Sequence, residues 1–542
     1  MAVPKEPDVL RCTNPATGVT YATHPATPVG SVPRIVADVR VAADGWAASP
    51  PSSRVAAIAA FLDDLTQHGE EAATAIGAAT GKPPGPCLDE VLVAALAGRH
   101  LVAHAEGWLA EEVRSDILAP GRRPIVRRVP LGVVTVLGPY NFPFNLSLVP
   151  ALAAAAGGNG VVIKVSEAVP GVGVAIEAAL AKWAGGALAR VVRVVHGAAG
   201  VGRALTDTVD HAVFVGSVGV GRAVAAAMAT RGKGATLELG GKDPALVLDT
   251  DAAAISFAAG GVARGAFYNG GQMCVGIERC YVVAPAFDAF VEALVDYVRT
   301  HVKAGYAPPP APGAHPGGPD AFTYGPAIAP GHLAHVDAAV AEAVAAGGKL
   351  HTGGRRTPDG RCYEPTVITF PSVEAAKRLK LMTQETFGPV LPVVPVRDVD
   401  VAVMEANDAP FGLGAYVWCK DLAHAEAVGR RLHCGGVVTN EAVLQVVLPG
   451  LPFGGVGASG LGRLGGREGF LGLTTTQTIV VGRGQSAAEV SWLNLYSVKW
   501  GLLRAMCGRR GAAAEVMWEA LRHGRASLQR WWGGERPEGK AD

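Results

Sequence analysis

Four short stretches of this 542-residue chain place reactive or polar side chains where they could take part in chemistry. In Gly270-Gly271-Gln272-Met273-Cys274 a cysteine follows a Gly-Gly loop. A cysteine among apolar residues is ordinarily a packing residue. After such a loop, however, backbone amides can approach a substrate oxygen, and a thiolate is a strong nucleophile even when little of it is ionised. In Leu237-Glu238-Leu239-Gly240-Gly241-Lys242 a carboxylate stands between two leucines. Burial there would raise its pKa and prepare Glu238 as a base near neutrality. The plainer reading is a strand-end glutamate paired with a nearby base. Asn141, between Pro139 and Pro143, is either a turn residue or an amide donor aimed at a developing oxyanion. In Phe214-Val215-Gly216-Ser217-Val218-Gly219-Val220-Gly221, glycines at a strand-to-helix turn suit phosphate binding at a helix N-terminus, although the spacing is not GxGxxG.

These residues need elements to hold them. Residues 35–110 read as helices, with apolar positions at helical spacing in Arg54–Leu65 and Asp89–His104. Residues 121–130 are basic and β-prone, an extended arm or hairpin strand. From 131 strands and helices alternate. Strands are expected at Leu131–Leu137, Val161–Val165, 191–195 and 212–215, with helices at Ser147–Ala156, 174–184, near 200–205 and from Arg222. That alternation marks a parallel, doubly wound sheet. A second α/β stretch spans about 241–440, with strands at Ala245–Leu248, Cys280–Val283, Leu391–Val396, Ala415–Trp418 and Gly436–Asn440. The Pro/Gly-rich residues 307–319 read as a surface loop. The β-branched run 474–482 is a strand that could pair with the 121–130 arm. The tail, 486–542, carries five of the nine tryptophans, with Leu493, Tyr496, Trp500, Leu503 and Cys507 on one helical face.

Composition narrows the class. The length suits two or three packed domains. A net charge of +1 gives no global electrostatic reason to expect a nucleic-acid partner. The N-terminus lacks a signal-peptide core and no apolar run reaches the ~20 residues of a membrane span, so a cytoplasmic protein is expected. Peripheral membrane contact through the tail competes there with packing on the protein's own surface or a subunit interface. Eight cysteines show no paired CxxC pattern, so neither a zinc site nor a disulfide framework is expected.

Taken together and in order, the motifs carry a resemblance. NPATG (14–18), GPYNFPFN (138–145), IKVSE (163–167), FVGSVGVG (214–221), LELGGK (237–242), GQMC (271–274), ETFGPV (385–390) and LPFGGVGASGLGR (451–463) are similar, in family order, to motifs of the aldehyde dehydrogenase superfamily. The resemblance covers roughly residues 12–482 and lies toward the class-3-like side, in a branch with an extended C-terminal tail. It implies an α/β fold of two doubly wound parallel-sheet domains, one Rossmann-like for the cofactor and one catalytic, with a small β oligomerisation arm and a helical tail. The implied partition is 1–120 with 131–240 for the cofactor, 241–440 for catalysis, 121–130 with 441–485 for the arm, and 486–542 for the tail.

The resemblance also implies roles. Cys274 would attack an aldehyde carbonyl, Asn141 and the Cys274 N–H would hold the oxyanion, and Glu238 would activate water to hydrolyse the thioester. Lys164 and Glu167 would contact the adenosine ribose, favouring NAD while leaving NADP open. Gly216, Ser217 and Gly221 would follow the pyrophosphate side, and Glu385 and Phe387 the nicotinamide ribose. Tyr140, Phe144 and Phe453 would wall an apolar substrate pocket suited to an aliphatic or aromatic aldehyde. The implied partners are a small aldehyde and further copies of the chain, as a homodimer or homotetramer. Glu238 argues against a CoA-acylating relative, and the retained Cys274, Glu238 and Asn141 argue against a silent structural homologue. Tyr140 stands where Trp is common in the family and Val165 where Pro is common. The interval from Glu238 to Cys274 is 36 residues, about two longer than usual. Cys280 reads as packing.

Overall fold

The computed structural model of the chain describes residues 7–114, 123–305 and 322–482. The tail from 486 and the 307–319 loop lie outside these residues. Most of the described chain, through Ala110 and from Arg128 to Thr476, forms one compact unit.

Two sheets organise that unit. The first has strands in the spatial order Gly460–Leu461, Gly234–Leu239, His211–Gly216, Val133–Leu137, Gly160–Lys164 and Val192–Val195. The last five run parallel, and Gly460–Leu461 pairs antiparallel at one edge, with Gly460 opposite Glu238. The second sheet has the order Lys349–Thr352, Thr366–Thr369, Val390–Val396, Ile277–Val283, Asp243–Val247, Gly414–Trp418 and Gly436–Thr439, parallel except at the first pair. The fold is thus the expected α/β with two parallel sheets.

The strands were readable as apolar runs because both faces of each sheet are covered. In the first sheet Val134, Val136, Ile163 and Val213 face one core, while Val133, Val162, Ala212 and Phe214 face the other. In the second, Ala245, Cys280 and Tyr416 pack on one side and Leu246, Tyr281 and Val417 on the other. Cys280 is therefore a core residue. Helix ends were less legible. The helix expected from Arg222 begins at Val218, because Gly219 and Gly221 depress local helix propensity without preventing the turn.

A second unit includes, among the described residues, 111–114, 123–127 and 477–482. Its described part includes Glu112–Val113, which pairs antiparallel with the strand Arg123–Pro130; that strand is also flanked by Thr474–Val481. No helix among the described residues is long and apolar enough to cross a membrane.

One buried ion pair ties the N-terminal helices to the segment that carries Asn141. Lys82, just before the helix Pro84–Trp108, lies 2.7 Å from Glu90 within that helix, with both side chains out of contact with water. Glu90 also accepts the Phe144 N–H at 2.9 Å, and the Lys82 ammonium sits 4.0 Å from the Phe142 ring centre. Burial raises the Glu90 pKa while Lys82 opposes that rise. Breaking such a pair from one side leaves an uncompensated buried group. Lys82→Met should therefore cost about 3–5 kcal/mol, read as a lower urea midpoint with an unchanged slope, and adding Glu90→Leu should restore part of the loss.

Candidate active site

The two sheets meet end to end. The strand Gly234–Leu239 leaves the first sheet at its carboxyl end, passes through Gly240 and Gly241, and enters the second as Asp243–Val247. Ligands of open parallel sheets gather beyond the carboxyl ends of strands. Lys164, Gly216 and Glu238 all lie at or beside such ends of the first sheet.

Cys274 lies at the amino end of the second sheet, three residues before the strand Ile277–Val283. Its loop is held by side chains that reach back to it. Gln272 donates to the carbonyls of Asn269 and Pro326, both at 3.0 Å, and accepts the Ile328 N–H at 2.9 Å. Asn141 donates from Nδ2 to the Gln272 carbonyl at 3.0 Å. An amide nitrogen carries two hydrogens, so one remains for a ligand. Asn269 donates to the same carbonyl at 3.2 Å, which draws the Asn141 and Cys274 segments together. Behind the cysteine, Tyr416 donates to the Val275 carbonyl at 2.6 Å and receives Gln445 Nε2–H at 3.0 Å.

The Glu238 segment touches the same place. A side chain at Gly241 would fall 2.6 Å from the Cys274 carbonyl oxygen, so the two backbones abut. Glu238 is buried, and neither carboxyl oxygen has a hydrogen-bond partner. Its Oε1 rests against Gly454, where an added Cβ would lie at 2.6 Å. Burial drives the Glu238 pKa well above the carboxylate range, with the positive charge of Arg463 partly opposing. Burial also raises the Cys274 thiol, reinforced by Glu385, Asp243 and Glu238. Burial and the neighbouring carboxyl groups thus both weigh against a thiolate at Cys274. The thiol still keeps a partly open face, since Cys274 lines the large cavity described below.

A second group of the expected residues forms a cradle. Lys164 lies 3.2 Å from Glu167, and its aliphatic stem lies near Gly202. Ser217 is extended, and the helix Val218–Ala229 starts without a side-chain cap, leaving its first amides for a ligand. Gly221 presses on Leu239, where an added Cβ would lie 2.3 Å from Cδ2. Glu385 accepts the Gly241 N–H at 3.2 Å; burial and then Glu278 push its pKa up to about 8. Phe387 has a φ of +52°, and its ring meets Tyr140 edge-on with centroids 6.0 Å apart. Beyond the carboxyl ends of its strands the first sheet thus presents a lysine, an uncapped helix N-terminus and, near Gly241, a buried carboxyl.

Sequence reasoning missed Glu278. It accepts the N–H groups of Thr386 and Phe387, at 2.8 Å each for the shorter contacts, and meets Lys242 at 2.5 Å. Arg279 beside it donates to the carbonyls of Lys242, Glu405 and Ala406. The available signal was a Glu-Arg pair inside an otherwise apolar strand.

Beside Cys274 opens a cavity of about 490 Å³. Its wall includes Phe453 and also Phe142, Leu146, Leu101, Trp108 and Val446. Tyr140 and Phe144 are placed elsewhere. Tyr140 faces Phe387, and Phe144 is buried in the core with Leu148.

The sequence profile described as the aldehyde dehydrogenase family matches residues 3–479. The chain belongs to that family and has the make-up of an aldehyde dehydrogenase, an oxidoreductase. A Mycolicibacterium smegmatis protein provisionally named succinate-semialdehyde dehydrogenase (NADP+) is 32% identical over 474 residues, covering 86% of this chain and 87% of that protein. Two solved structures are similar. An aldehyde dehydrogenase from Brucella melitensis biovar abortus has a TM-score of 0.80 at 30% identity, covering 88% and 94% of the two chains. An NAD-dependent aldehyde dehydrogenase from Sinorhizobium meliloti has a TM-score of 0.81 at 30% identity, covering 88% and 92%.

The loop geometry leaves no room for a side chain at Gly271. Its φ is +71°, and an added Cβ would lie 2.2 Å from the Gly388 carbonyl oxygen. Gly271→Ala should displace Cys274 and lower kcat by about 100-fold, with Cys274 alkylation slowed in parallel.

Proposed function

We propose that the protein oxidises an apolar aldehyde to its carboxylic acid through a thioester on Cys274, with water rather than CoA as the acyl acceptor. The carrying observation is a buried, unpartnered Glu238 carboxyl whose segment abuts that of Cys274. Cys274 passes its proton to water, and its sulfur bonds to the carbonyl carbon as the carbon–oxygen π pair moves onto the oxygen. The carbonyl oxygen gains charge where the free Asn141 N–H and the Cys274 amide can hold it. A nicotinamide dinucleotide, when bound, supplies the hydride acceptor. Glu238 then takes a proton from water as its oxygen adds to the acyl carbon, and the carbon–sulfur bond breaks to release acid and thiol. A carboxyl with a raised pKa is the stronger base for that step.

For the cofactor, Lys164 and Glu167 would receive the adenosine ribose, and Glu385 the nicotinamide ribose. The Glu167 carboxylate favours a free 2′-hydroxyl, hence NAD, with NADP the second choice. The relative named for NADP supports keeping both. The strand Thr474–Val481 is exposed beyond its first residue, as suits pairing within a homo-oligomer.

The cavity supports the choice of aldehyde. A substrate carboxylate, as in succinate semialdehyde, would lose its hydration against an apolar wall and face Asp89 and Glu441. The Arg264 guanidinium on that wall already donates to the Tyr297 hydroxyl at 3.1 Å. The name of the mycobacterial relative favours the semialdehyde as the second reading. Across a panel of hexanal, benzaldehyde and succinate semialdehyde, kcat/KM should favour the apolar aldehydes by about tenfold or more, a difference of only ~1.4 kcal/mol. A preference for the semialdehyde would overturn this assignment.

Glu238→Gln should retain a burst of NADH while steady turnover falls by about 10²–10⁴-fold, and Cys274→Ala should abolish the burst. In the wild type, hydrolysis should slow as pH falls through the raised Glu238 pKa, because the protonated acid cannot take up a proton. Glu238→Gln should lose that limb. An acyl-CoA product on adding CoA would refute the hydrolytic assignment.

A further inference from the structure

Cysteine spacing gave no reason to expect a metal, yet the fold gathers a different donor set. His24 comes from the strand Thr20–Pro25, Glu177 from the helix Pro170–Lys182, and His196 from the residue after the strand Val192–Val195. One ligand atom from each lies within 4.8 Å of the others. His196 Nε2 is 2.9 Å from Glu177 Oε2, and the two imidazole rings meet edge-on with centroids 4.2 Å apart. We propose that His24, Glu177 and His196 bind a divalent cation of the zinc type, separate from the active site and independent of its assignment.

Two observations carry this. First, His196 is held in place. Its N–H donates to Thr27 Oγ1 at 3.0 Å, its carbonyl accepts the Thr27 N–H at 2.7 Å, and its ring packs on Gly173, where a Cβ would fall 3.3 Å away. Imidazole nitrogens and a carboxylate oxygen are donors that zinc, cobalt and nickel accept. Second, a simple His196–Glu177 pair leaves the His24 ring without a hydrogen-bond partner among the described residues, although it is turned onto that pair. Ligand atoms in a tetrahedron with bonds of about 2.0–2.2 Å sit roughly 3.3–3.5 Å apart, so only small side-chain shifts are required. Glu177 is half-exposed, which leaves a coordination position for water.

The bound ion joins the N-terminal hairpin, Val9–Thr13 with Thr20–Pro25, to the edge of the first sheet. That edge strand pairs with Gly160–Lys164, placing Val195 opposite Lys164. The ion is thus a staple beside the cofactor cradle and not a participant in the reaction.

The test uses the full-length protein and cobalt(II), whose d–d bands report nitrogen and oxygen donors. One equivalent should bind per chain and raise the Tm, without a thiolate charge-transfer band. His24→Ala and Glu177→Gln are surface changes that should leave fold and kcat intact. Each should weaken binding by at least about tenfold, since losing even an outer-shell partner costs roughly 10–100-fold, and should remove the Tm shift. Unchanged affinity in both variants, a thiolate band marking capture by a cysteine, or no binding by the wild type at millimolar cobalt would each overturn the proposal.

Discussion

Lys242 and Glu278 form an ion pair with no access to water at the point where the two sheets meet, and the site is assembled around it. Two buried charges are tolerated only where their remaining hydrogen-bonding capacity is met. Here it is met by the hydroxyl of Thr386 and the N–H groups of Thr386 and Phe387. The pair therefore fixes three segments at once: the turn after Glu238, the strand that begins just beyond Cys274, and the stretch bearing Glu385 and Phe387. The unfavourable φ of Phe387 is held by the same contacts, together with the His332 ring donating to its carbonyl at 2.8 Å.

That concentration of acid groups poses an electrostatic problem. Glu238, Asp243 and Glu385 are all buried close enough to disfavour a thiolate at Cys274. Burial also raises each of the three carboxyls, so the surroundings of the thiol need not carry a full set of negative charges. Proton positions in the site are thus coupled. Ionising one group makes ionising the next harder.

Polarity is divided across Cys274. Lys164 and Ser217 stand at or just beyond strand ends of the first sheet, and Glu385 meets the turn after Leu239 through the Gly241 N–H. The cavity beside the thiol is walled instead by a helix from far upstream, Pro84–Trp108, and by residues near 446 and 453. The buried Lys82–Glu90 pair ties that helix to the segment carrying Asn141, through the Phe144 N–H.

The sequence by itself singled out Cys274, Glu238 and Asn141 and laid out the strands. Cys274, Glu238 and Asn141 stand in short motifs whose local chemistry is legible, and strands covered on both faces must read as apolar runs. Tertiary structure decided what surrounds them. Gln272 finds its partners at Pro326 and Ile328, Asn141 reaches Gln272 across 131 positions, and Glu278 reaches Thr386 across 108. Leu101 and Trp108 stand in no motif, whereas Tyr140 and Phe144 looked like pocket residues from theirs. His24, Glu177 and His196 share no motif at all. Such neighbours are set by sheet order and by the direction in which each helix returns, and neither is encoded in the spacing of any one segment.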